Sequence, residues 1–124
     1  MTRSYSLLSF TFVSFVMFSS VVQGGNDEGS KRYAINDRIK TVGMCEEYDL
    51  NSLTKSDKKL VTKYYPAGKR CPIEKRVGVC HKYKGPDGIA FDMHYYSGTA
   101  KGYNWESSSI KVTCKHVDGE YKDG

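Results

Sequence analysis

Arg76-Val77-Gly78-Val79-Cys80-His81-Lys82-Tyr83, then Lys84-Gly85-Pro86-Asp87-Gly88, then Ile89-Ala90-Phe91-Asp92-Met93-His94-Tyr95-Tyr96, is the stretch that decides the fold. Two runs alternate between apolar and polar residues around a Pro-Asp-Gly core. Proline presets φ for a turn and glycine accepts conformations closed to other residues, so this pattern predicts an antiparallel hairpin. With the turn centred on Pro86, period-two alternation puts Val77, Val79, His81, Tyr83, Ile89, Phe91, Met93 and Tyr95 on one face. Arg76, Gly78, Cys80, Lys82, Ala90, Asp92, His94 and Tyr96 then lie on the other. Cys80 falls on the less apolar face, away from any helix that would carry its partner. Either a bulge shifts the register or both faces are partly covered.

Before the hairpin, Leu50, Leu53, Leu60, Val61 and Tyr64 recur at helical spacing, with Thr54 and Asp57 as a capping pair and Pro66 and Gly68 as a stop. A helix is predicted from about Lys55 to Tyr64. Ile39, Thr41 and the Val42 to Met44 stretch suit a strand that Gly43 weakens. After the hairpin, Ile110, Cys114 and Val117 fit a helix and Ile110, Val112 and Cys114 fit a strand. Asn104 as a cap and Asp118-Gly119 as a stop favour the helix, and Glu120 to Lys122 suits a short terminal strand. The expected class is α+β, a small antiparallel sheet with two helices.

The 124 residues leave room for one domain. Arg3, an apolar run from Leu7 to Phe18 and the triplet Val22-Gln23-Gly24 have the layout of a secretory signal peptide. The run is too short for a spanning helix, which needs about 20 apolar residues. The expected organisation is a leader over 1–24, a flexible arm over 25–37 and a single domain over 38–124, without an integral span in the mature chain. Residues 25–124 carry 18 basic and 14 acidic side chains. Lysine predominates, with no run of basic residues longer than two, which reads as a solvated surface and not as a specific nucleic-acid site. Beyond the leader the chain has one Phe, one Trp, three Leu and nine Tyr, a thin supply of hydrocarbon for a core.

Cys45, Cys71, Cys80 and Cys114 are separated by 26, 9 and 34 residues, without the close ligand pairs of a zinc site. In an exported chain this predicts two disulfides, for which three pairings exist. Val42-Gly43-Met44-Cys45-Glu46-Glu47-Tyr48 and Val77-Gly78-Val79-Cys80-His81-Lys82-Tyr83 share V-G-x-C-x-x-Y, and each is followed by Tyr-Tyr and then by cysteine. This order suggests a duplicated strand-and-helix unit and favours Cys45 with Cys71 and Cys80 with Cys114.

Cys71-Pro72, Arg76-Val77-Gly78-Val79-Cys80, Tyr95-Tyr96-Ser97, Cys114 and Gly119-Glu120-Tyr121 together resemble small cysteine-repeat proteins exported by spirochaetes and other Gram-negative bacteria. The sequence departs from that pattern in having Asp118 where the first terminal glycine stands and no cysteine in its first helix. The resemblance implies a secreted or surface-associated, adhesin-like protein contacting host extracellular proteins such as laminin or plasminogen.

The residues suited to such contact are Tyr95, Tyr96, Lys101, Tyr103, Trp105 and Lys111, around the loop Gly98 to Asn104. No cofactor or metal is expected, and no nucleophile elbow, phosphate loop or His-Glu metal motif occurs. The alternatives are a ribonuclease-like hydrolase centred on His94, with Asp92 and Lys82 on its face, or a released toxin or effector. The predicted register separates His81 from His94, which weighs against the enzyme.

Overall fold

The hairpin forms the interior of the sheet, and the other strands add to its two sides. A computed structural model describes residues 31–124; the expected leader and the arm up to residue 30 lie outside the described residues. The elements run β1 (Tyr33–Arg38), a single turn α1 (Ile39–Val42), β2 (Met44–Asp49), a 3-10 turn (Leu50–Ser52), α2 (Lys55–Tyr64), β3 (Arg76–Lys84), β4 (Ala90–Tyr96), α3 (Ser107–His116) and β5 (Glu120–Asp123). The fold is α+β, with one five-stranded sheet in the order β1-β2-β4-β3-β5 and every neighbour antiparallel.

Helix α2 has the predicted bounds, and the Thr54 side chain accepts from the Asp57 N–H at its start. Two expectations change near the N-terminus. The segment read as the end of a flexible arm forms the edge strand β1, because β2 would otherwise lose backbone partners along its length. The strand expected at Ile39 to Met44 begins only at Met44. Gly43 adopts φ +68° at the end of α1, so residues 39–42 turn the chain between β1 and β2. A Cβ at Gly43 would lie 3.0 Å from the Tyr96 carbonyl and 3.1 Å from the Trp105 ring.

Both resolutions of the Cys80 conflict are realised. The β3–β4 register shifts between Cys80 and Tyr83, where Lys82 takes φ +62°, and again between Arg76 and Gly78. Cys80 therefore faces the same side as Tyr83, Phe91, Met93 and Tyr95, in the core that also holds Ile110 and Cys114 of α3. The bulge moves Val79 to the opposite face, across from His94, and carries His81 to Asp92. That face has its own smaller cluster of Cys45, Cys71 and Tyr96, packed by Ile35 and Ile39.

The disulfides pair as the duplication favours, Cys45–Cys71 and Cys80–Cys114. Cys45 is opposite His94 and Cys80 opposite Met93, and consecutive β4 residues point to opposite faces. One bridge thus ties the sheet to α3, and the other ties it to the segment that follows α2. Two staples compensate for a core in which tyrosine supplies much of the apolar area.

Candidate functional site

The predicted contact residues divide among three places. Loop 98–104 is a tight turn, with Gly98 and Gly102 at φ +70° and +84° and the Tyr103 N–H donating to the Ala100 carbonyl at 3.1 Å. Lys101 stands exposed at its tip, and Tyr103 is 40% exposed. Trp105 is half-buried beneath them, its Nε1–H donating to the Val42 carbonyl at 2.8 Å and its ring packed edge-on to Tyr95 at 5.1 Å. Tyr103 leans on Trp105 at 6.2 Å. Tyr95, Trp105 and Tyr103 therefore form a chain of rings from core to surface, which holds the loop on a rigid base.

The other predicted residues do not join this patch. Tyr95 is only 2% exposed and acts as the inner support, and burial pushes its hydroxyl up to about 12. Tyr96 is buried on the opposite face, where its hydroxyl donates to the Pro72 carbonyl at 2.6 Å. Lys111 lies on α3 above the Tyr121 ring, 5.3 Å from its centroid.

A groove of about 360 Å³ opens on the face of the sheet away from α3, lined by Tyr33, Glu47, Asp49, Arg70, His81 and Asp92 among others. Its floor is Glu47, buried at 4% exposure. Arg70 reaches both carboxylate oxygens, Nη2 to Oε1 at 3.0 Å and Nε to Oε2 at 3.3 Å, and the Cys71 N–H donates to Oε2 at 2.9 Å. Burial pushes this carboxyl up, but His94, Arg70 and the Cys71 N–H outweigh it and hold the group at about 2. The Arg70 guanidinium also covers the Tyr33 ring at 3.9 Å, so this carboxylate works with the Cys45–Cys71 bridge and the Tyr96–Pro72 bond to fix segment 66–75 over the sheet.

His94 sits within this anchor and not at a surface. Its Nδ1 lies 3.3 Å from Arg76 Nη1, and its Nε2 lies 3.6 Å from Glu47 Oε1. At 4% exposure His94 is buried beneath the groove, and its ring is part of the contacts that hold Glu47. Glu47, Cys71 and His94 bring possible ligand atoms within 4.8 Å of one another. The sulfur, however, is half of a disulfide and not a thiolate, and both Glu47 oxygens already accept hydrogen bonds.

The imidazole that does face the groove is His81. Its Nδ1 lies 2.5 Å from Asp92 Oδ1, and its other ring nitrogen bonds to no described residue. Asp92 is directly opposite Glu47 across β2 and β4, so an acidic pair crosses the groove, Glu47 held by the Arg70 guanidinium and Asp92 by the His81 ring. Asp49 is likewise gripped by Arg32 at 2.8 and 2.9 Å. Sequence reading did not single out Glu47 or Arg70. The available signal was alternation: Glu47 lies two residues from Cys45, and Arg70 adjoins Cys71, so the first disulfide brings the two together.

Comparison with family models, with curated proteins and with solved structures returns no match. Among the described residues no helix is long and apolar enough to cross a membrane. The two disulfides are consistent with an oxidising environment.

Proposed function

We propose that the chain is a secreted or surface-associated binding module of adhesin-like character, contacting host extracellular proteins such as laminin or plasminogen. The observation that carries this reading is the ordered loop 98–104, which displays Lys101 and Tyr103 on a base of Trp105 and Tyr95. A cation beside an aromatic on a preformed loop loses little conformational freedom on binding, and loops on rigid scaffolds are common recognition sites. Plasminogen kringles accept lysine side chains, and Lys101 has no acidic partner among the described residues.

Solid-phase binding of the mature protein to plasminogen and laminin tests the reading. Lys101→Ala with Tyr103→Ala should lower affinity at least tenfold while leaving thermal unfolding within a few degrees of wild type, and a lysine analogue should compete for plasminogen. Unchanged binding by the double variant, or binding that vanishes for wild type at modest salt, contradicts it.

A second reading, a secreted hydrolase, has one observation in its favour: the His81–Asp92 pair opening on the groove, where a carboxylate orients an imidazole. An RNA-cleavage assay comparing wild type with His81→Gln checks it. A robust activity abolished by that change would replace the binding-only reading.

A further inference from the structure

The net charge of +5 is concentrated in one element and its continuation. Residues 55–70 hold six basic side chains against one acidic, and the rest of the chain holds thirteen of each. Along the sequence these lysines look dispersed; winding residues 55–64 into α2 collects them. Lys55, Lys59 and Lys63 follow one another at four-residue steps, about 6 Å apart along the axis. Lys58 lies beside them, and Lys69 follows in the loop. All five are exposed, and none has an acidic partner within ion-pair distance among the described residues. Arg70, by contrast, is bound to Glu47. Like charges at four-residue spacing repel, so α2 carries an unfavourable stripe that a polyanion would relieve.

We propose that α2 and the loop after it form a binding face for a linear sulfated polysaccharide, distinct from loop 98–104. Three features select this partner. The disulfides suit an oxidising setting outside the cytosol, where sulfated glycans are common polyanions. The free cations are all lysines, point charges suited to a row of sulfates, without the guanidinium forks used for bidentate phosphate recognition. A membrane surface fits less well, because α2 is only ten residues long. Its exposed large apolar side chains are Leu60 and Tyr64, too little hydrocarbon to insert. The Tyr64 ring, with Lys63 Nζ 5.5 Å from its centroid, offers a flat surface beside the charges on which a sugar ring can rest.

The test measures binding of the mature, oxidised protein to a size-defined heparin fragment by calorimetry across a salt series. The variant K55Q/K59Q/K63Q should lose roughly thirtyfold in affinity. Its slope of log K against log salt should fall by about three. K84Q/K115Q/K122Q, which removes the same charge from exposed sites elsewhere, should lose less than threefold. Bound heparin should slow hydrogen exchange in α2, and Lys101→Ala with Tyr103→Ala should bind heparin as wild type does, so the failure of either surface is read separately. The proposal is overturned by equal losses in the two triple variants, which would mean net charge alone. It is also overturned if wild type does not bind the fragment, whether or not it adsorbs to phosphatidylserine vesicles.

Discussion

Replacing Glu47 by Gln tests whether one buried carboxylate holds segment 66–75 to the sheet. The carboxyl is held at about 2 in the folded protein, against an ordinary value of 4.5. Because the folded value is the lower one, its contribution is fully present above the ordinary value and lost as pH falls towards 2. A depression of this size corresponds to about 3 kcal/mol between ionised and protonated forms. Glutamine keeps the shape and one acceptor but leaves Arg70 without a counter-charge, so a loss of about 3 kcal/mol at pH 7 is expected. For a domain of this size that is a fall in Tm on the order of 15 °C. Urea unfolding of wild type and Glu47→Gln, with disulfides intact, at pH 7, 4 and 2.5 gives the readout. The difference between the two should shrink as pH falls, because wild type loses the stabilisation that the variant lacks throughout. A difference independent of pH, or below about 1 kcal/mol at pH 7, refutes the role assigned to this carboxylate.

Replacing either cysteine pair by alanine should cost about 3 to 4 kcal/mol in urea unfolding, since the bridges close loops of 26 and 34 residues. The Cys80–Cys114 pair should also loosen α3, seen as faster hydrogen exchange at Ile110. Gly119→Ala would set a methyl 2.5 Å from Cys80 Sγ and 2.9 Å from Cys114 Sγ, and should destabilise by about 1 to 3 kcal/mol in thermal unfolding. Trp105→Phe removes the bond to the Val42 carbonyl and should cost about 1 kcal/mol while increasing exchange across loop 98–104.

What was legible in the sequence was what local rules decide. The hairpin followed from alternation around Pro86-Asp87-Gly88, α2 from helical spacing with a Thr54 cap, and the disulfide pairing from the repeated V-G-x-C-x-x-Y order. The edge strand β1 was not legible, because Tyr33-Ala34-Ile35-Asn36-Asp37-Arg38 carries little alternation and takes its conformation from β2. Alternation offers the bulge at Lys82 only as one of two ways to reconcile Cys80 with the core. A non-glycine residue at positive φ leaves no sequence signal, yet it decides that His81 and His94 share a face. Of the proposed contact residues, the exposure of Lys101 and Tyr103 was readable from their place in the loop Gly98 to Asn104. The burial of Tyr95 and Tyr96 was not, because a core this poor in Phe and Leu draws tyrosine inward. The charge of α2 is not legible along the chain for a geometric reason: single lysines scattered in sequence become a stripe only when wound at 3.6 residues per turn.

Peptide mapping of the natively isolated protein under non-reducing conditions, with alkylation of any free thiol, reaches the centre of the account most directly. Cross-linked peptides joining Cys45 to Cys71 and Cys80 to Cys114, with no alkylated cysteine, are the predicted result. A bridge between Cys45 and Cys80, which point to opposite faces of the sheet, or cysteines recovered as free thiols would contradict it.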